Sequence, residues 1–405
     1  MANTFEIEID GTAPRAHAGP VGMAPPWSNR FRIMAGIGIR MMFHDRLKML
    51  GTLAGVIFAV VLSNQQLGTF LGLLHKNTMF IDNADADIWV VPPSTRQFQF
   101  GRAMSDAVLM RAKVEPGVAW AEPLVFGGAS VQRPDGGTEQ VSVIGTRLPR
   151  MAGGPWNVVA GSADALHEPD TMLFEDSERE KLGGLNLGSE REVNGKRVRV
   201  GGFTWGLLPF GPSYAFADVD LARSLLRLRG DQVHYVLVGV ERGTDPTSLA
   251  AALQRQIPEA TVLTREQFKR STIEYILTRT AIGVTFGSSV MFGLLVGFTV
   301  VSLMMFSSVL DNIREFGTLK AMGATSWDLA KLLFVQAATY ATMGSLAGLA
   351  VVTTLARAIR SPQLAVVLPT QLLWGTFLVM ILLCVAASTA ALIRLRKLEP
   401  AMVFR

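Results

Sequence analysis

Cysteine is almost missing from the 405 residues: Cys384 stands alone, so no disulfide within the chain is possible. Any large part outside the cytosol must fold on its core alone. Charge is scarce too, at 18% of residues, against ~25% in an average soluble domain. Hydrophobic residues make up 49%, a balance that leans toward a membrane. The five histidines (His17, His44, His75, His167 and His234) include no pair at metal-ligand spacing. No G-x-x-x-x-G-K-[ST] phosphate loop, H-E-x-x-H or G-x-S-x-G occurs. The apolar runs hold no carboxylate pair, and Ser63 has no histidine among them to serve as a base. A P-loop nucleotide site is therefore excluded, and no nucleophile–base constellation supports a membrane enzyme.

What is present is four long apolar runs, at 47–74, 283–310, 332–356 and 367–393. Each is long enough to cross about 30 Å of hydrocarbon at about 1.5 Å per residue. The first begins too far into the chain for a secretory signal and lacks a small-residue cleavage site after it. It contains the polar stretch Ser63, Asn64, Gln65 and Gln66. Amides in lipid are costly unless they face protein or water. Asn64, Gln65 and Gln66 thus mark either a bundle or dimer face, or a bend near the outer membrane surface.

Between the first two runs, residues 75–282 lack any 20-residue apolar stretch and show short-strand and helix signals. "ADIWVVPP" ends a strand at its prolines. "LVFGGASVQ" and "VSVIGTRL" flank an Asp-Gly-Gly turn, a hairpin signature. "NGKRVRVGGFTW" alternates as a half-exposed strand does. "QVHYVLVGV" and "ATVLT" are also strand-like. "DVDLARSLLRL" and "DPTSLAAALQRQIP" have helical spacing behind acidic caps. The fold class expected is an α-helical membrane protein with four transmembrane helices and an α+β extracytoplasmic domain inserted between helices 1 and 2.

Residues 76–280 hold 23 Lys+Arg against 25 Asp+Glu, a net of −2. Segments 30–48, 311–331 and 394–405 hold 12 basic against 5 acidic residues, a net of +7. The positive-inside rule places both termini in the cytoplasm and the inserted domain outside it. A basic excess beside lipid spans suits membrane lipids as partners and not nucleic acid. The expected layout is completed by a mobile cytoplasmic tail at 1–27, an interfacial amphipathic helix at 28–46 and a cytoplasmic tail at 394–405.

The segment 311–331 is then the one substantial internal loop, and it is built as more than a connector. Ile313, Phe316, Leu319 and Met322 recur every three residues, with Arg314 and Glu315 off that stripe and Lys320 near its edge. Gly323 has the chemistry of a helix C-cap. Thr325 and Asp328 form a T-x-x-D capping box. A plain connection between helices needs about 2–8 residues. Ordering more costs about 1–2 kcal/mol per residue in backbone entropy, which a docking surface would explain.

The stretch "NIREFGTLKAMGATSWDLAKLLFVQA" resembles the signature of FtsX-like and MacB-like ABC transporter permeases. The matching positions are Arg314, Glu315, Gly317, Leu319, Lys320, Ala321, Met322, Gly323 and Ala324. The ending "RLRKLEPAMVFR" is similar to the family's basic-Pro-Ala ending, with Met402 and Val403 departing from it. "GVIFAVVLSNQQLGTF" and "ADIWVVPPSTRQF" also resemble permeases of the heterocyst glycolipid exporter type, although those are apolar where Ser63 and Asn64 stand. The resemblance implies a multi-pass protein of the bacterial inner membrane, working as a dimer with a second permease copy or paralogue. It implies a separate ABC ATPase subunit that holds ATP and Mg, with no cofactor in this chain, and a periplasmic adaptor in some members. Arg314, Glu315, Phe316, Gly317, Leu319, Lys320, Met322, Gly323 and Ala324 would couple to that ATPase. The implied function is export of a lipid, lipoprotein or other hydrophobic substrate. The alternative is a mechanotransmission subunit that activates an extracytoplasmic partner without transport.

Overall fold

Two helices meet at Asp45: α1 (Trp27–His44) and α2 (Arg46–Asn83). Asp45 caps α2 by accepting from the Lys48 backbone N–H at 3.2 Å. The computed structural model describes residues 27–209, 211–358 and 366–396. The tail expected over 1–27 lies outside the described residues except for Trp27, and the C-terminal tail does so from residue 397 onward.

α2 does not stop at Leu74, where the apolar run ends, but continues to Asn83. The polar stretch His75–Asn77 looks like the end of a lipid span. No proline or capping glycine follows it, and Met79, Phe80 and Ile81 are buried beyond it. Asn77 and Asn83 donate their side-chain amides to Leu73 O and Met79 O, each at 2.8 Å, so the helix tolerates them.

The inserted domain begins with β1 (Ile88–Val91), β2 (Met104–Ser105), α3 (Ala107–Val114), β3 (Val118–Gln132), β4 (Thr138–Thr146), β5 (Val158–Gly161) and β6 (Thr171–Glu175). It continues with β7 (Glu190–Val193), β8 (Lys196–Thr204), β9 (Tyr214–Asp218), α4 (Val219–Leu225), β10 (Gln232–Val233), β11 (Tyr235–Val240), α5 (Pro246–Gln256) and β12 (Thr261–Thr264). The main sheet runs β12-β1-β11-β3-β4-β9-β6-β8-β5, with β7 beside β3 and β8, while β2 and β10 pair separately. Its pairings are antiparallel except β4 with β9 and β6 with β8. The β3–β4 hairpin pairs from Leu124 and Thr146 down to Gln132 and Thr138, closed where the Arg133 N–H donates to Gly137 O.

The domain's main core is aromatic and sits where α2 enters. Phe80 stacks on Phe98 at 4.1 Å between centroids and meets Trp89 and Tyr214 edge-on at 6.1 and 5.7 Å. A second helix reaches the same core. This is α6 (Arg265–Arg279), which starts with a Thr264/Gln267 capping box. It packs Phe268 on Trp89 at 5.3 Å. Lys269 Nζ bonds Asp82 Oδ1 at 2.8 Å, tying α6 to α2.

Thr280, in extended conformation at φ −111° and ψ 155°, separates α6 from α7 (Ala281–Asp311). After α7 come α8 (Ile313–Ala321), α9 (Ser326–Ala358) and α10 (Thr370–Arg396). Helices α2, α7, α9 and α10 are long and apolar enough to cross a membrane. The protein is therefore an α-helical multi-pass membrane protein with an α+β domain inserted between its first two spans. α10 begins at Thr370 and not at 367. Leu368 precedes Pro369, which disfavours helix, and the Val367 N–H donates instead to Gly68 O on α2 at 3.0 Å.

α2 is the centre of the bundle. A Cβ on Gly344 of α9 would fall 2.6 Å from Val56 Cγ1, and one on Gly297 of α7 2.5 Å from Ala59 Cβ. Backbones approach this closely only over small residues, the usual packing device within lipid.

His234 gives the domain a pH dependence. It is buried, and its Nδ1 accepts from the Phe126 N–H at 3.3 Å, which requires the neutral ring. Burial pushes its pKa down to about 4. The unfolded chain takes up this proton near its ordinary value of about 6.5. Stability is thus full above that pH and falls as pH drops toward about 4, by an amount on the order of 3 kcal/mol. Thermal melts at pH 7.5 and 4.5 are expected to show this loss, and His234→Gln to flatten it. An equal pH slope in both proteins contradicts the assignment.

Candidate functional site: a capped helical foot

α8, the turn after it and the first turns of α9 form a foot at the end of the bundle away from the inserted domain. The sequence suggests one helix running from the second span into the foot. Instead α7 ends at Asp311, and Asn312, at φ −97° and ψ 20°, interrupts the helix before α8.

Both arms of the foot are closed by local chemistry. Gly323 has φ +95°. Its N–H donates to Lys320 O at 3.1 Å and the Ala324 N–H to Leu319 O at 3.0 Å. Those two bonds are the Schellman pair that ends a helix. Two residues on, the Asp328 N–H donates to Thr325 Oγ1 at 3.2 Å, and the Thr325 N–H donates to Asp328 Oδ2 at 3.1 Å. This reciprocal box starts α9.

The foot has its own small core. Phe316 and Leu319 of α8 pack with Leu329, Ala330, Leu332 and Leu333 of α9 and Val309 of α7, and Ile37 and Met41 of α1 pack against them. α1 is docked on α9. Gln336 Nε2 donates to Gly38 O at 2.9 Å, and a Cβ on Gly38 would meet Leu332 Cγ at 3.2 Å. At the base of α2, Lys48 Nζ pairs with Asp45 at 3.0 Å and also with Asp311 of α7. These groups are a third to a half exposed. Such a pair is worth about 0–1 kcal/mol, so it fixes position more than stability.

The residues singled out from the sequence divide into two sets. Arg314, Glu315, Lys320, Met322 and Gly323 are exposed, Met322 at 76%. Gly317, Leu319 and Ala324 are half-buried, and Phe316 is turned inward at 4%. Phe316 therefore holds the foot together and is not available to touch a partner. Met322 leaves the apolar stripe because it is the last residue before the Gly323 turn. Trp327, 65% exposed on the first turn of α9, joins the outward face. Its sequence signal is the tryptophan within the T-x-x-D box. Farther up, Asn64 is buried in this chain's own bundle, where Thr376 of α10 donates to its Oδ1 at 3.2 Å and its amide donates to Val60 O at 2.8 Å. Gln65 and Gln66 are half-buried, and Gln65 bonds Thr69 Oγ1 at 3.4 Å.

Four spans, a domain inserted after the first and an ordered foot beneath the second and third define a class: the ABC transporter permease with an external domain. Residues 49–256 match the MacB-like periplasmic core domain and residues 276–400 the FtsX-like permease C-terminal region. The chain belongs to this FtsX-like and MacB-like ABC transporter permease family, whose members are non-catalytic transport subunits that pair with an ABC ATPase. A search of curated proteins finds no match. Among solved structures the chain is similar to the periplasmic region of MacB from Actinobacillus actinomycetemcomitans, at 11% identity and a TM-score of 0.37, covering 47% of this chain and 94% of that one. It is also similar to the extracellular domain of the noncanonic ABC-type transporter YknZ from Gram-positive bacteria, at 14% identity and a TM-score of 0.32, covering 44% and 98%.

The Gly323 turn can be tested by backbone chemistry alone, because a Cβ there would meet nothing within 4 Å. A left-handed conformation costs a non-glycine residue about 1–2 kcal/mol. Gly323→Ala is expected to speed amide exchange at residues 323 and 324 by about 5–30-fold, and Gly323→Asn by less. Exchange unchanged in Gly323→Ala contradicts the turn.

Proposed function

We propose that this chain is the membrane subunit of an ATP-driven exporter whose foot rests on a separate ATPase subunit. Both termini and the foot are cytoplasmic, and the inserted domain lies outside the inner membrane of a bacterium. The ATPase holds the ATP and Mg. The observation that carries the reading is the outward face of the foot: Arg314, Glu315, Lys320, Met322 and Trp327 stand exposed on a segment capped at both arms. Mixed charge with large apolar groups suits a protein partner. The basic excess of the segments flanking the spans supports the orientation.

Movement of the foot reaches α2 through two contacts, the α1 clamp on α9 and the Lys48–Asp311 pair. α2 ends in the aromatic core of the inserted domain, so displacement at one end becomes displacement at the other. A second permease copy or paralogue completes the complex, and a periplasmic adaptor would receive the cargo. The cargo class is a lipid, lipoprotein or other hydrophobic compound handled at the outer face. In the second reading, a mechanotransmission subunit, the same movement switches an extracytoplasmic partner.

Glu315→Lys reverses one charge on the outward face, and like charges across an interface cost several kcal/mol. Reconstituted with its ATPase, the variant is expected to lose at least tenfold in ATP-coupled transport while still inserting in the membrane. Full coupling in Glu315→Lys contradicts the foot as the contact. ATP-driven domain movement in wild type with no cargo exported favours the switching role.

A further inference from the structure

α1 has two faces with different surroundings. Ile37, Gly38, Met41 and Met42 are turned toward α9 and the bundle. The opposite side carries Ile39 and Phe43, 39% and 48% exposed, together with exposed Arg32, which lies between them around the helix, and Arg40, which lies to one side. At 100° per residue these four fall within about one third of the helix circumference. The exposed surface continues past Asp45 into α2 as Arg46, Leu47 and Leu50, the last two 82% and 59% exposed. Asp45, the acid nearest in sequence, is engaged by Lys48.

We propose that this outer face of α1 binds the anionic lipid headgroups of the bilayer surface, and that α1 passes their presence on to the foot. The occupant follows from continuity and charge. α1 ends at His44, and the membrane-length α2 starts at Arg46, so a bilayer surface is the neighbouring phase. Apolar side chains mixed with arginines on one face are what such a surface accepts: the rings and aliphatic groups enter the acyl boundary while the guanidinium groups meet phosphates. The relay follows from the inner face. Gly38 leaves no room between α1 and Leu332, and Gln336 holds the Gly38 carbonyl. Ile37 and Met41 pack on the core that also holds Phe316 and Leu319. Holding α1 against the membrane therefore restrains α8 and the start of α9. This inference deepens the reading of the foot as a coupling element, but its test uses no ATPase and stands or falls separately from the Glu315→Lys result.

The test is hydrogen exchange on the full chain in nanodiscs of phosphatidylcholine alone or with 30 mol% phosphatidylglycerol. A basic residue near an anionic surface gains about 1 kcal/mol, a factor of about five. Added phosphatidylglycerol is expected to slow exchange in residues 35–44 and in residues 316–325 by about fivefold or more, and 0.5 M NaCl to erase the difference by screening. Arg32→Gln with Arg40→Gln, both surface changes, removes both effects. Gly38→Leu separates the two claims: it forces α1 away from Leu332, so lipid still protects α1 but no longer protects the foot. Equal exchange in the two lipids, a response in the double arginine variant matching wild type, or a foot that responds in Gly38→Leu as in wild type would each overturn the proposal.

Discussion

A 38-residue helix without proline spans about 57 Å, and the two ends of α2 are fixed by different means. At one end the fixings are polar and half-exposed: the Asp45 cap and the Lys48 pair with Asp311. At the other they are buried and aromatic, with Phe80 among Trp89, Phe98, Trp156 and Tyr214. Between them the helix packs against α7 and α9 over glycine and alanine. One end is thus held by solvent-accessible polar contacts and the other by a buried core shared with the inserted domain. The second connection to the domain, through α6 and α7, is interrupted at Thr280. One connection is a continuous helix and the other is two helices separated by an extended residue.

The foot repeats this logic on a smaller scale. Its fold is local, set by the Gly323 turn and the Thr325–Asp328 box, so its shape is defined before any partner arrives. Its attachment is tertiary: Phe316 and Leu319 bury against α9, and α1 closes over the same core.

Much of this was legible in the sequence, and the reasons are specific. The spans showed because lipid demands long uninterrupted apolar runs. The foot showed because caps are written in short local patterns: glycine at the turn, then threonine and aspartate three apart. The β3–β4 hairpin showed in its Asp-Gly-Gly turn. Hidden features were those decided by tertiary contact. His75, Lys76 and Asn77 look like the end of a span, yet α2 continues because the domain buries Met79, Phe80 and Ile81. Phe316 is among the residues that the resemblance assigns to coupling but faces inward, and nothing in the motif separates outward residues from those that hold the foot. The docking of α1 on α9 depends on Gly38 and Gln336, which lie far apart in sequence and share no local pattern. α6 was readable in principle, since Thr264 and Gln267 form a T-x-x-Q box.

The central claim is that α2 moves as one rigid body between foot and domain. Electron–electron distance measurements between spin labels at Leu47→Cys and Asn83→Cys test it, with Cys384 buried and left in place. The labels sit on exposed residues at opposite ends of α2. With and without an ATP-loaded ATPase on the foot, the account predicts one narrow distance of about 54 Å, from a rise of about 1.5 Å per residue. A broad distribution, or a distance that shifts when ATP binds, would show that α2 bends and would contradict the account.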